Sequence, residues 1–387
     1  MEHVQFPFTD YHLIVDVSEE KIAIFEEETG GLLETLIPPA PLRLKETKKK
    51  SRDELQLTGE DGKFYSLWLR AMKVDGTFPT EGFYIFSVHL LPEWNLGAYF
   101  GFYEWGLFQL QEKRLNIVYS EKAAKLTAGI LAQDKNRIVI VTSFLDGRIE
   151  VYEIRYSLSN SGFTGTPERL WEVKNNVGVS TLGIIDNYLV SGHKDGSLKV
   201  WGLKTGEQQQ HLAVTDSQVH CLDSTKTTCF IGTANGTALA FDIKTWRLLW
   251  QRKLSEKTLL GVNVVDDLVG FVENGFTIYW LSPVTGDVHL RLESETGVAS
   301  RPVRFKNWHL VAGSAALLLF AENQCFETLP LGDNLIRAIC LHQQGVITGN
   351  DSGELTLWSY PGVAFGEIYI PSDENGVPIH KAIREGE

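Results

Sequence analysis

The segment Leu189-Val190-Ser191-Gly192-His193-Lys194-Asp195-Gly196-Ser197-Leu198-Lys199-Val200-Trp201 decides the fold. An apolar run leads into an Asp-Gly turn, and alternating apolar positions follow and end on an aromatic. Asp-Gly or Asn-Gly between two such runs is a strong hairpin signal, because a tight turn wants positive φ at its central residues. The phrase recurs from Phe230-Ile231-Gly232 through Asn235-Gly236 to Phe241, and from Leu268-Val269-Gly270 through Asn274-Gly275 to Trp280. It returns from Val346-Ile347-Thr348-Gly349 through Ser352-Gly353 to Trp358, and an earlier copy runs from Val139-Ile140-Val141 through Asp146-Gly147 to Tyr152. In these five copies the aromatic stands five residues after the turn glycine. A sixth, Leu310-Val311-Ala312-Gly313 to Phe320, has Ala315 in the glycine's place.

Trp201, Phe241, Trp280, Phe320 and Trp358 follow one another at intervals of 40, 39, 40 and 38 residues. A period of about 40 with several short strands per repeat is that of a β-propeller, one four-stranded sheet per blade. The 49-residue interval from Tyr152 to Trp201 reads as a longer turn over Ser157-Leu158-Ser159-Asn160-Ser161-Gly162. A second turn beyond the aromatic, at Thr29-Gly30, Thr205-Gly206 and Thr285-Gly286, opens the outermost strand. The expected architecture is all-β: a single β-propeller of seven or eight four-stranded blades over residues 1–370, closed by strands from both chain ends, with a tail over 371–387. Within it, 11–36 read as an N-terminal blade-like unit, 37–82 as an irregular insertion with a basic loop, and 83–370 as regular blades. An eighth blade needs a late segment for its innermost strand, and 377–383 is the candidate. The recurring aromatics are expected to wedge between adjacent blades, as large side chains that dominate cohesion.

Residues 189–203 with the following Lys204-Thr205-Gly206 resemble the WD-repeat family of propellers, and 352–358 do so more weakly. The resemblance spans about residues 130–360 and has departures. Gly192-His193 falls in a hairpin turn rather than before an innermost strand, and the Asp that follows the family's Trp is Gly202 and Ser359 here, surviving only as Asp242. The stretch Phe241-Asp242-Ile243-Lys244-Thr245-Trp246-Arg247-Leu248-Leu249-Trp250 is similar to the quinoprotein-type propeller repeat, whose outer strand ends in Trp. Both resemblances imply a propeller, and neither assigns a function, since this fold hosts many.

The balance of 49 acidic against 36 basic residues gives a net charge of −13, which weighs against nucleic acid and anionic membranes as partners. No apolar run approaches the ~20 residues of a membrane span. The start Met1-Glu2-His3-Val4-Gln5-Phe6 lacks the basic and apolar regions of a secretory signal, so a cytoplasmic location is expected. Cys221 and Cys229 either face each other across a hairpin or are buried small apolar groups. Cys325 and Cys340 have no partner set at metal-ligand spacing, and neither a metal nor a cofactor is expected. Nucleophile-elbow, phosphate-loop and His-Glu-x-x-His patterns are absent from the sequence.

Three groups of residues are candidates for binding. The hairpin loops carry Phe144, Asp146, His193, Lys194, Asp195, Asn235, Glu273, Asn274, Asn350 and Asp351, a polar and acidic rim for a basic or polar partner segment, although tight turns need these same residue types. The run Lys48, Lys49, Lys50 and Arg52 is either an RNA or phosphate contact or a solvated loop. The aromatic stretch holding Trp94, Tyr103 and Trp105 is either an exposed contact surface or, the favoured reading, core. The function expected from all this is a non-catalytic protein–protein interaction scaffold of the WD-repeat-like type within a larger complex. A propeller enzyme, quinoprotein-like or a hydrolase, and an RNA-associated accessory subunit are the alternatives.

Overall fold

The structure is a computed structural model that describes residues 2–81, 83–134, 137–159, 162–294, 296–298, 300–321 and 324–368. Among the described residues, regular structure is β-strand with three short 3-10 turns, arranged as seven four-stranded sheets and one of six strands. Successive strands joined by tight turns pair antiparallel, so each repeat becomes a meander. Repeated four-stranded sheets of this kind fit a β-propeller. Among the described residues no helix is long and apolar enough to cross a membrane. The chain divides into two compact units, Met1–Lys73 with Ser359–Glu387, and Val74–Trp358.

In the Val74–Trp358 unit, five meanders follow one another as blades I (85–122), II (126–174), III (179–213), IV (219–253) and V (259–293). The six-stranded sheet runs Val303–Phe305, Trp308–Ala321, Gln324–His342, Gly345–Asn350, Glu354–Ser359, Lys73–Pro79. Its strand Gln324–His342 pairs backward with Trp308–Ala321 through its first half and forward with Gly345–Asn350 through residues 336–342. The sheet is therefore two blades sharing one long strand, VI before residue 336 and VII after it. The outer strand of VII is Lys73–Pro79, from ahead of blade I, and just past it the Thr80 amide donates to Gly353 O at 2.9 Å. Residues 37–82, expected as an irregular insertion, thus hold Lys48–Lys49, Glu54–Thr58, Phe64–Arg70 and Lys73–Pro79. Leu55, Leu57, Tyr65, Leu67 and Leu69 alternate there and are buried, which is strand patterning.

One backbone bond recurs in all seven blades. The amide of a hairpin residue between the second and third strands donates to the carbonyl just ahead of that blade's innermost strand. The pairs are Phe102–Phe83, Leu145–Lys125, Lys194–Gly178, Ala234–Gln218, Asn274–Thr258, Ser314–Gly297 and Asp351–Leu335, at 2.7–3.1 Å. Each hairpin is thereby tied to the end of its blade where the innermost strand begins.

Apolar side chains form much of the contact between blades. Tyr152, Trp201, Phe241 and Phe320 occupy a bulge late in the third strand and are buried. Trp201 packs on Val139, Val141, Ile149 and Val151 of blade II, and Phe241 on Val190, Leu198 and Val200 of blade III. Trp280 departs from this series by one residue. In blade V the bulge lies at Trp280/Leu281, and Leu281 takes the position of Phe241 against blade IV. Trp280 turns to the opposite face, against Val311, Leu318 and Phe320 of blade VI, with its ring 4.7 Å from that of His309. The cause is the turn: Phe276, not Gly275, precedes Thr277 where Gly236 precedes Thr237. Ile347, Leu355 and Leu357 of blade VII pack with Ile85, Val88, Tyr99 and Phe108 of blade I.

Outer-strand tryptophans add a second link. The Trp171 indole donates to Leu203 O and the Trp250 indole to Pro283 O, both at 2.9 Å, in the third-to-fourth-strand turn of the next blade. Those turns contain Gly206 and Gly286 at φ +70° and +72°, and a Cβ on Gly286 would lie 2.6 Å from the Trp250 ring. The ring docks there because the turn has no side chain.

The described residues of the Met1–Lys73 and Ser359–Glu387 unit form two sheets. His3–Phe8, Leu13–Ser18, Ile22–Glu26 and Leu32–Leu36 form a meander. Its first strand, the one expected from a late segment, is His3–Phe8; residues 377–383 lie outside the described residues. In the second sheet Gly362–Ile368 pairs with Phe64–Arg70, joining the two stretches of this unit.

Candidate functional site

Every innermost strand begins with an irregularity that a plain alternation would not contain. In six blades the ladder skips one residue on that strand: Phe86, Thr127, Ser180, His220, Leu260 and Arg337 each lie between paired neighbours without a partner of their own. In blade VI the bridge of Val298 to Gly313 and the pair Val303 to Leu310 leave a longer excess that includes Ser300 and Arg301. A bulge re-aims a side chain, which is why such features gather at functional sites. All of these residues line one cavity of about 520 Å³ in the Val74–Trp358 unit. That volume lies in the usual range of ligand pockets, ~300–1,000 Å³.

The charged groups on the wall are Arg301, Arg337 and Lys194, and among the described residues no Asp or Glu lines it. The Arg301 Nε–H donates to Ile339 O at 3.4 Å, and the Arg337 guanidinium lies 4.3 Å from the centre of the Tyr84 ring. The Arg337 Nε and His220 Nδ1 atoms are buried without a hydrogen-bond partner among the described residues. Other wall groups are satisfied by neighbouring backbone: Ser180 Oγ–H donates to Val219 O at 2.5 Å, with Gly192 O 3.1 Å away, and the Ala312 amide donates to Ser300 Oγ at 3.0 Å. His89 pairs with Ser87 Oγ at 2.8 Å, and burial, helped by the Arg301 charge, pushes its pKa down to about 3. Burial also lowers His220. Both imidazoles are therefore neutral near pH 7, and the arginines and Lys194 carry the positive charge.

Of the rim residues read from the sequence, Lys194 lines the cavity. The others serve their own turns. Asp195 Oδ1 accepts from the Ser197 amide and hydroxyl at 3.0 and 2.7 Å, and Asp146 Oδ1 from the Arg148 amide at 3.1 Å. Asn235 accepts from Thr233 Oγ1, Glu273 from Thr277 and Tyr279, and Asn350 from the Glu354 amide. Asn274 and Asp351 supply the backbone bonds described above. Phe144 is buried under Arg148, whose guanidinium stands 3.9 Å from its ring. His193 is buried beside Ser191 Oγ at 2.9 Å, and the same hydroxyl accepts from Trp201 Nε1 at 2.9 Å.

The aromatic stretch divides. Trp105 is buried against Phe100, Tyr119 and Tyr152, Trp94 is half-buried with its indole donating to Gln133, and Tyr103 is half-exposed. In the basic run, Lys49 donates to Pro7 O at 2.7 Å and covers the Phe8 ring, while Lys50 stands 3.6 Å from Glu54; Lys48 is exposed. Arg52 lies beside them in the turn before Glu54–Thr58. Cys221 and Cys229 sit on opposite faces of blade IV, since Cys229 pairs with Ser224 and Cys221 with Gly232; they do not face each other.

The cavity residues His89, His220, Arg301 and Arg337 were not singled out by sequence reading. A signal existed for His220 and for the neighbour of Arg301, because Ser180, His220, Leu260 and Ser300 stand at intervals of 40; His89 and Arg337 lie off that series.

No family model matches the chain, and no curated protein matches it. Among solved structures it is similar to the computationally designed Ika8 protein, with a TM-score of 0.52 and 18% identity over 90% of this chain and 93% of that one. This likeness concerns the fold alone.

Proposed function

We propose that the chain is a non-catalytic protein-interaction module of the WD-repeat-like propeller type, cytoplasmic and part of a larger complex. Its Val74–Trp358 unit is a closed seven-bladed propeller that receives a segment of a partner protein at the central cavity. The packing of blade VII on blade I supports closure. The observation that carries the reading is the shared wall: bulged residues of all the innermost strands converge on one cavity, and Lys194 brings a hairpin to it. A rigid scaffold with loops tied to one end of each blade suits recognition of an extended segment. RNA is the weaker reading, because Lys49 and Lys50 are already engaged.

Chemical cross-linking and recovery from the native cell tests this. Ser180→Trp, which fills the cavity, is expected to lose the partner that the unaltered protein recovers, while Lys48→Gln with Lys50→Gln retains it. A protein that remains solitary and monomeric in its own cell contradicts the reading.

A further inference from the structure

We infer that the cavity is an anion site, in which Arg301 and Arg337 take the carboxylates of a short acidic segment of the partner; this rests on the docking proposed above. The two arginines enter from neighbouring positions of the wall, since Arg301 bonds to Ile339 O on the strand that carries Arg337. Neither has a carboxylate within ion-pairing distance among the described residues, and the Arg337 Nε–H has no acceptor. A wall with three cations and, among the described residues, no carboxylate leaves its charge uncompensated, and a carboxylate answers the planar, two-pronged donor geometry of a guanidinium group. Asp223 is the carboxyl whose charge reaches Arg301, but it is not on the wall and already accepts from the amides of Val264 and Ser224, at 2.7 and 2.8 Å. Lys194 adds a third cation at the hairpin end.

The surroundings narrow the ligand further. Phe86, Leu260, Val262 and Ile339 make much of the wall apolar, so the segment carries apolar side chains beside its carboxylates. The net charge of −13 repels long polyanions, while a low-dielectric cavity lined by one sign of charge focuses attraction on a short one.

The test uses fluorescein-labelled octapeptides of alternating Glu-Leu and alternating Lys-Leu, titrated with the full chain in low salt and read by anisotropy. The Glu-Leu peptide is expected to bind at least tenfold tighter than Lys-Leu. Arg301→Gln with Arg337→Gln is expected to weaken it at least tenfold, and Arg301→Lys with Arg337→Lys to recover part of the loss. Circular dichroism checks that each variant is folded; should the double variant not fold, Arg337→Gln alone, with a threefold or greater loss, carries the test. Equal affinity for both peptides, no binding of either, or unchanged binding in the Gln variants overturns the inference. The two readings separate in the recovery assay above: loss of the partner in Ser180→Trp but not in the folded Gln variants leaves docking standing and removes the anion site.

Discussion

Trp201 and Trp280 fill equivalent-looking places in the sequence but have different polar surroundings, and replacing each by Phe separates them. Trp201 Nε1–H donates to Ser191 Oγ at 2.9 Å, and that hydroxyl also meets His193 Nε2 at 2.9 Å. Trp201→Phe removes a buried hydrogen bond worth about 1 kcal/mol, and the lost ring volume adds about 1–2 kcal/mol, for a total of about 2–3 kcal/mol. Trp280 is fully buried too, yet its indole N–H has no partner among the described residues. Trp280→Phe suffers the same volume loss but relieves a desolvated donor that costs about 1–3 kcal/mol, so its net effect lies between a loss of about 1 and a gain of about 2 kcal/mol. Truncation to Ala at position 280 also removes the unpartnered N–H, but the cavity left by the whole indole dominates and a cost of about 3–5 kcal/mol is expected. Urea unfolding followed by tryptophan fluorescence gives the three midpoints. A Trp280→Phe variant at least as destabilised as Trp201→Phe refutes the reasoning.

Three further outcomes are expected. Gly286→Ala places a methyl 2.6 Å from the Trp250 ring at φ +72°, and thermal melting should show a loss of about 2–4 kcal/mol, with no loss contradicting the docked tryptophan. His89 stays neutral in the folded protein down to about 3 against an ordinary 6.5, so the unfolded chain takes up its proton first as pH falls. Its contribution is complete above pH 6.5, declines toward pH 3, and amounts to roughly 2–3 kcal/mol lost at pH ~4.5; the urea midpoint of His89→Gln should therefore fall less than that of the unaltered protein between pH 7 and 4.5. Cys325 is exposed while Cys221, Cys229 and Cys340 are buried, with burial holding the Cys340 thiol up at about 12. A thiol reagent should titrate one cysteine in the native protein and four after denaturation, and prompt native reaction of more than one would contradict the packing between blades.

The strands and their meander order were legible because turn glycines punctuate alternating apolar runs at a steady interval. Blade V shows where counting from glycine fails: with Phe276 in the turn position, the aromatic five residues after Gly275 changes face, and only the ladder reveals it. The N-terminal meander was half read, since Pro7 obscured a strand that Val4 and Phe6 otherwise mark. The rim was read for its composition, but Asp195, Asn235 and Asn350 are consumed by their own turns, as small polar residues at such positions commonly are. The cavity was missed for a geometric reason. A bulge shifts one residue out of alternation, and the residues shifted here are Phe, Thr, Ser, His, Leu and Arg, which share position without sharing chemistry.

A crystal of the full chain grown with the Glu-Leu octapeptide puts the cavity to its most direct trial. Peptide density between Arg301 and Arg337, with carboxylate oxygens at hydrogen-bonding distance from both guanidinium groups, is the predicted result. Peptide found instead along Lys48 and Arg52, with the cavity holding only solvent, would contradict it.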